Sequence, residues 1–146
     1  MSAVLLARSR MGTLATVSAE MPGYPFASLA PFAMSEEGDP VFLLSDLAEH
    51  TVNIKTDPRA SLLVAEAFRQ GGDPLALERV TLLGKIGPVP DQEVEDLYLQ
   101  AHPEAKMFSG MKDFSFYVLA IEKARYVGGF GRMSWVERQE LIDAGR

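Results

Sequence analysis

Apolar and polar residues alternate along the first half of the chain in short segments that turn-forming residues separate. The alternation over Met11–Val17 predicts a strand, and residues 26–34 predict another beyond the Pro22-Gly23 turn. Residues 41–45 are almost entirely apolar, which is typical of a strand buried on both faces. Residues 59–68 predict a further strand. Strands this short, joined by turns, favour an antiparallel sheet.

The second half of the chain continues this pattern. Further strands are predicted over residues 78–84 (with an extension to 86), 113–121 and 124–130. Helical patterns occupy residues 2–9, 46–55, 91–101 and the tail 135–144. About seven short strands with a few peripheral helices predict an α+β fold whose antiparallel strands close into a small barrel. No repeat or linker interrupts the pattern, so residues 1–146 are predicted to form a single domain.

Composition and charge narrow the classes of function. The net charge is −6 and the 14 Lys and Arg residues are scattered singly, so no nucleic-acid partner is expected. The absence of cysteine excludes disulfides, thiolate zinc sites and cysteine nucleophiles. The N-terminus has no secretory pattern and no apolar window reaches membrane-spanning length. A cytoplasmic protein with no membrane association is therefore expected.

The familiar catalytic motifs are missing from the sequence. There is no Gly-x-Ser-x-Gly, Walker loop or His-Glu-x-x-His, and no catalytic residue is identified. The glycines at 128, 129 and 131 lack the dinucleotide-binding spacing and favour a turn or bulge. The two histidines, His50 and His102, have no neighbouring ligands, so no metal site is predicted and surface or capping roles are favoured.

Arg79 is the first candidate for binding an anion. It begins an alternating strand segment, from which a guanidinium is able to hold a phosphate bidentately. The alternative is an edge arginine paired with Glu78 or with a neighbouring strand.

Ser45, Thr51 and Asn53 form the second candidate. They lie where the apolar run 41–45 passes into a helix, and the free N–H groups of a helix N-terminus suit an anion. The alternative is helix capping by Ser45 or Asp46, which needs no ligand. The second half of the chain also contains aromatic residues that suit stacking on a planar ligand. The alternative, which is the more common role of such residues, is that they fill the core. They are Phe114, Phe116, Tyr117, Tyr126, Phe130 and Trp135.

Taken in order, several segments resemble the pyridoxamine 5′-phosphate oxidase-like proteins. They are residues 12–16 (GTLAT), 25–28 (PFAS), 41–54 (VFLLSDLAEHTVNI), 57–64 (DPRASLLV), 79–84 (RVTLLG) and 127–131 (VGGFG). The resemblance extends over roughly residues 3–136, so it does not depend on one short motif. The strings SDLAEHTVN and GGFG place it nearest to the haem-utilisation branch of that family.

The resemblance implies a fold, a cofactor and an assembly. The fold is the Greek-key FMN-binding split barrel, expected as a homodimer with two FMN molecules at the subunit interface. In flavin-binding members, a strand arginine and a Ser-Arg-Lys segment hold the FMN phosphate. Arg79 matches that arginine, while the Ser-Arg-Lys positions fall near Glu49, His50 and Thr51, where an acid is present and lysine is not. The residues expected to bind the cofactor are Arg79, Ser45, His50, Thr51, Asn53, Ser28 and Leu82.

Three functions follow from the resemblance. The leading expectation is an FMN-dependent oxidoreductase acting on a small-molecule substrate, in which the isoalloxazine transfers electrons and the protein orients it. The second is a protein that binds or degrades haem, with His50 or His102 as an axial ligand. The third is a cofactor-free binding or regulatory protein built on the same barrel.

Overall fold

A computed structural model describes residues 2–128 and 131–144 of the chain. Its eight strands are β1 Met11–Val17, β2 Pro25–Pro31, β3 Ala33–Met34, β4 Pro40–Ser45, β5 Arg59–Ala65, β6 Arg79–Pro88, β7 Phe114–Val127 and β8 Met133–Glu137. Its helices are α1 Ser2–Arg8, α2 Glu49–Thr56, α3 Gln92–Ala101, α4 Lys106–Ser109 and α5 Arg138–Ala144. All strand pairs are antiparallel, in the order β2-β1-β5-β6-β7-β4-β3, with β8 also paired to β7. None of the helices in the described ranges combines the length and apolar character needed to cross a membrane.

The sheet curls around a core formed by its inward-facing residues. Because side chains alternate across a strand, Leu14, Leu62 and Leu82 lie side by side on the inner face, and all three are fully buried. Strand β2 contacts β4 across the curl, so the sheet forms a half-closed barrel. Burying each leucine contributes about 1.5–3 kcal/mol, which makes this row a major source of stability. The predicted α+β antiparallel split barrel is confirmed.

A bulge at Glu122 bends the long strand β7 against β6, since Leu83 pairs with Lys123 and Gly84 pairs with Ile121. The register between β6 and β7 shifts at Leu83 and Gly84. A Cβ atom added at Gly84 would lie 1.9 Å from the carbonyl oxygen of Ala120, closer than any side chain tolerates. Glycine is therefore required at this position for the two backbones to approach each other.

The C-terminal elements are fastened to the barrel by a partly buried ion pair between Asp39 and Arg138. Asp39, beside β4, accepts hydrogen bonds from the backbone N–H of Ile121 and from both terminal nitrogens of Arg138. Arg138 also donates to the carbonyl of Ile121 at 3.2 Å, and the hydrogen bond to Asp39 raises the pKa of its guanidinium. Leu141 of α5 is buried in the main core. Together these contacts hold α5 against the sheet.

Several predicted boundaries are wrong, each for a local reason. Residues 113–130 were expected to form two strands, but β7 is continuous because β6 and β8 pair with it on either side. The tail was expected to be helical from residue 135, whereas β8 occupies its first part. Residues 107–112 were expected to be irregular, and part of this segment belongs to α4. The strand predicted over residues 26–34 is interrupted at Phe32, whose N–H donates to the carbonyl of Arg10.

Candidate functional site

Helix α2 packs against β1 and brings several of the predicted cofactor residues to one end of the barrel. Ser45 Oγ accepts a hydrogen bond from the N–H of Leu47 at 3.1 Å, so it stabilises the turn before the helix rather than capping the helix itself. Asn53 is fully buried; its Oδ1 accepts from the N–H of Ala19 at 2.9 Å, and its Nδ2 donates to Thr16 Oγ1 at 3.0 Å. Both groups of the amide are used within the protein, so Asn53 fastens α2 to β1.

His50, in the first turn of α2, lies beside Ser28 of the edge strand β2. Ser28 Oγ is 3.2 Å from His50 Nδ1, and it donates to the carbonyl of Leu14 at 3.4 Å. In the tautomer in which the Ser28 hydroxyl donates to Leu14, the Nδ1–H of His50 donates to Ser28 Oγ and the lone pair of the neutral imidazole lies on Nε2. Within the described ranges, Nε2 of His50 has no hydrogen-bond partner. The site therefore presents a nitrogen that is free to bind a metal centre.

Burial also favours the neutral form of this imidazole. Desolvation lowers the pKa of His50 below its ordinary value of 6.5, because the charged ring is less well solvated at this half-buried position. The ring is consequently neutral at pH 7, which is the form that binds metal ions.

Thr51, the next residue of α2, is fully buried. Its Oγ1 is the one buried side-chain polar atom without a hydrogen-bond partner in the part of the chain that the structure describes. An unsatisfied buried hydroxyl costs about 1–3 kcal/mol. Because the side chain is enclosed, it does not face an open phosphate site.

Arg79 and Leu82 lie away from α2. Arg79 Nη1 donates to the carbonyls of Leu75 at 3.2 Å and Leu77 at 2.8 Å, so the guanidinium turns back onto the loop before β6. Neither sequence alternative for Arg79 anticipated this arrangement. Arg79 pairs with Ala65 at the far end of β5 from α2, and Leu82 is fully buried in the core. Within one protomer, the residues expected to bind FMN therefore do not assemble around a single phosphate.

His102 is buried, and its ring is hydrogen-bonded to the main chain. It is 5% exposed, and its Nε2 lies 2.7 Å from the carbonyl oxygen of Phe32, to which it donates. Its ring is 4.8 Å from that of Tyr98, and Glu104 lies 3.4 Å from Nδ1. Burial raises the pKa of Tyr98 to about 12, so that phenol stays neutral. His102 joins α3 to the β2–β3 connection and presents no free Nε2.

The glycine-rich segment connects β7 to β8. The N–H of Gly128 donates to the carbonyl of Arg132 at 2.7 Å, and Gly131 adopts a positive φ of 72°. Gly129 and Phe130 lie outside the described residues. The turn interpretation is confirmed for the residues that are described. Within residues 2–128 and 131–144, no group of three or more His, Asp or Glu side chains is placed to hold a metal ion.

The outward face of the sheet carries a row of mostly uncharged side chains. Across β2, β1, β5, β6, β7 and β8 this row consists of Leu29, Thr13, Leu63, Thr81, Arg125 and Trp135. Trp135 is 55% exposed, and both Arg125 Cζ and Lys123 Nζ lie 5.5 Å from its ring centroid. We call Lys123, Arg125 and Trp135 the cationic–aromatic cluster.

Sequence reasoning missed the cationic–aromatic cluster. The alternation of Lys123 and Arg125 along a strand places both on one face, which is a signal that the sequence contains. Their proximity to Trp135 depends on β8, which was not predicted. Of the other aromatic residues considered, Phe116 and Tyr117 are buried as expected for core residues.

The fold and site together define a class: an antiparallel split β-barrel with a neutral, partly buried histidine at one end. The chain belongs to the family described as CREG, beta-barrel, which matches residues 1–143.

Two curated relatives have names that refer to haem. The chain is 36% identical over 121 residues to the chloroplastic non-canonical heme oxygenase HOZ of Arabidopsis thaliana, covering 81% of this chain and 36% of that protein. It is 30% identical over 140 residues to the heme oxygenase HutZ of Vibrio cholerae serotype O1, covering 89% of this chain and 76% of HutZ. The chain thus spans little more than a third of HOZ and most of HutZ.

A solved structure gives the same indication. The heme binding protein from Mycobacterium smegmatis superposes with a TM-score of 0.88 at 36% identity, covering 97% of this chain and 58% of that one. The resemblance to the split-barrel family and to its haem-utilisation branch is confirmed. The comparisons favour the haem interpretation of the sequence over the flavin-dependent one.

Proposed function

We propose that this protein binds haem and acts in haem breakdown. The observation that carries the proposal is the 36% identity with a heme oxygenase over 81% of the chain. A second relative named as a heme oxygenase supports it across 89% of the chain. Sequence identity at this level over a whole domain preserves the fold. A shared fold does not by itself establish a shared function, so the proposed function has to be tested at the site residues.

His50 is the residue of this chain that fits an axial haem ligand. Its Nδ1 is engaged by Ser28, its pKa is lowered by burial, and its Nε2 is free among the described residues. A second hydrogen bond that fixes the tautomer is the usual environment of a metal-binding histidine. His102 lacks these properties because its Nε2 is already bonded to Phe32. Of the two histidines that the sequence offers, His50 is therefore the proposed ligand.

In haem breakdown the residues of this chain hold and orient the ligand. When bound, haem iron supplies the binding and reduction of O₂, with electrons from an external reductant. Ser28 keeps the proton of His50 on Nδ1, and the burial of α2 against β1 keeps the ring neutral and fixed. No residue of the chain is assigned as a general acid or base.

A homodimer is the proposed assembly. The outward row from Leu29 to Trp135 exposes apolar side chains on a sheet face, with Leu29 68% and Leu63 39% exposed. A second copy of the chain carries the same face, and the uncharged part of the row, from Leu29 to Thr81, packs against its equivalent without burying like charges. The central positions Thr13 and Thr81 add neutral polar groups to the face.

Titration of the purified protein with haem and with FMN in parallel tests this function. We expect a Soret band with a red-shifted maximum that saturates at one haem per protomer, and no comparable uptake of FMN. Addition of ascorbate under air should then bleach the bound haem. Tight uptake of FMN without a Soret response would contradict the proposal and restore the flavin-dependent alternative.

A further inference from the structure

An open cleft lies at the opposite end of β1 from α2. It has a volume of about 690 Å³ and lies between the end of α1, the start of β1 and the loop that joins β5 to β6. Pockets of about 300–1,000 Å³ are typical of small-molecule sites. Met11, at the start of β1, lines the cleft, whereas His50 contacts Ser28, which pairs with Leu14 about 10 Å further along β1. Neither Ser28 nor His50 lines the cleft, so the cleft is separate from the site of His50.

Three arginines line this cleft. Arg8 and Arg10 flank Ser9 between α1 and β1, and Arg69 lies in the β5–β6 loop. In the described part of the chain, none of their guanidinium groups takes part in an ion pair or a side-chain hydrogen bond. Three free guanidinium groups around one cleft are unusual in a chain whose net charge is −6.

The two acidic residues of the cleft are already engaged with the backbone. Glu66 Oε1 accepts from the N–H of Glu78, and Asp73 Oδ1 accepts from the N–H of Leu75 at 2.9 Å. Because these carboxylates bond to the main chain, they leave the three arginines unpaired. Both carboxylates keep their charge, so the lining carries three positive and two negative groups and has a net formal charge of +1.

The cleft also offers an apolar surface. Phe68 is 57% exposed and Met11 is 55% exposed, and both line it. An exposed aromatic ring beside guanidinium groups suits a ligand with an anionic end and an apolar or planar body.

We propose that this cleft binds a small organic anion through Arg8, Arg10 and Arg69, with the body of the ligand against Phe68. The ligand class is a molecule with a phosphate or a pair of carboxylates, since guanidinium groups bind both bidentately. This site is independent of the proposed haem site. Binding of haem through His50 does not require an anion in this cleft.

Isothermal titration calorimetry with pyrophosphate and with citrate, at matched ionic strength in chloride buffer, tests the proposal. The double variant Arg8→Gln/Arg69→Gln should weaken the tighter probe by about tenfold or more, because it removes two charge-assisted contacts. The matched control Lys106→Gln/Lys112→Gln removes two exposed charges elsewhere and should change the affinity less than about twofold. Preference for pyrophosphate assigns a phosphorylated ligand, and preference for citrate assigns a polycarboxylate.

Two outcomes would overturn the proposal. One is binding of either probe that the two double variants weaken equally, which would indicate a general charge effect. The other is wild-type protein that binds neither probe more tightly than chloride. A haem titration in saturating pyrophosphate separates the two sites: an unchanged Soret response is expected, and competition would contradict a distinct anion site.

Discussion

At the scale of single residues, His50 differs from the other histidine in what surrounds each ring nitrogen. Ser28 engages Nδ1 of His50 and leaves Nε2 free, whereas the carbonyl of Phe32 engages Nε2 of His102. The sequence contains both histidines without distinguishing them, because the partners lie 22 and 70 residues away along the chain. Strand pairing and helix packing assign these partners, and local spacing contains no signal for them.

The lowered pKa of His50 makes stability depend on pH in a defined direction. The unfolded chain protonates this ring near pH 6.5, whereas the folded protein does so at a lower pH. Between the pKa of His50 in the folded protein and its pKa in the unfolded chain, the unfolded state therefore binds more protons. The contribution of the neutral His50 ring to the free energy of unfolding is fully present above about pH 6.5 and is lost as the pH falls below that value. We expect urea denaturation to show a steeper loss of stability between pH 7 and pH 5 for the wild type than for His50→Gln. Parallel curves for the two proteins would contradict this assignment.

At the scale of elements, the bulge at Glu122 in β7 determines how this strand follows the barrel. The apolar alternation of residues 78–86 predicts the strand, but it does not reveal that Gly84 lies against the backbone of Ala120. A glycine inside a strand is ambiguous from sequence, because a bulge and a close approach give the same pattern. The continuity of β7 was missed for a related reason: the charged residues Glu122 and Lys123 resemble a turn until β8 is known to pair beside them.

Replacing Gly84 with alanine tests the role of the bulge. The added methyl would lie 1.9 Å from the oxygen of Ala120, so the backbone must shift, and we expect a loss of about 3 kcal/mol in the free energy of unfolding. Gly87→Ala, in the same strand, is the matched control, since a Cβ there meets nothing within 4 Å. It should change stability by less than about 0.5 kcal/mol. Equal effects of the two substitutions in chemical denaturation would show that the close approach does not constrain the fold.

At the scale of the whole molecule, the antiparallel barrel and its family could be predicted from the sequence, but the arrangement of the site could not. Short alternating segments determine the strands, and the motifs around residues 41–54 and 79–84 identify the family. The expected FMN residues share a family pattern, yet Arg79 and α2 lie at opposite ends of β5 in this chain. A sequence motif indicates which residues of this chain correspond to those of its relatives. Only the fold shows which of those side chains lie close together.

The proposed dimer depends on the outward sheet face. Leu63 lies in its central row, so Leu63→Glu would introduce two unpaired charges into a symmetric interface and should convert the dimer to monomer. Leu75→Glu is the control, because Leu75 is 64% exposed in the loop before β6 and lies outside this face. Sedimentation equilibrium gives the mass of each protein. A monomeric wild type, or a Leu63→Glu protein that remains dimeric, would contradict this interface.

Haem binding through His50 Nε2 is the central claim, and the Soret spectrum of His50→Ala tests it most directly. We expect the variant to lose the ligated Soret maximum and to recover it when free imidazole is added, because imidazole replaces the missing ring. His102→Asn, with folding verified by circular dichroism, should keep the wild-type spectrum. A His50→Ala protein that retains the wild-type spectrum and haem affinity would show that the iron is held elsewhere.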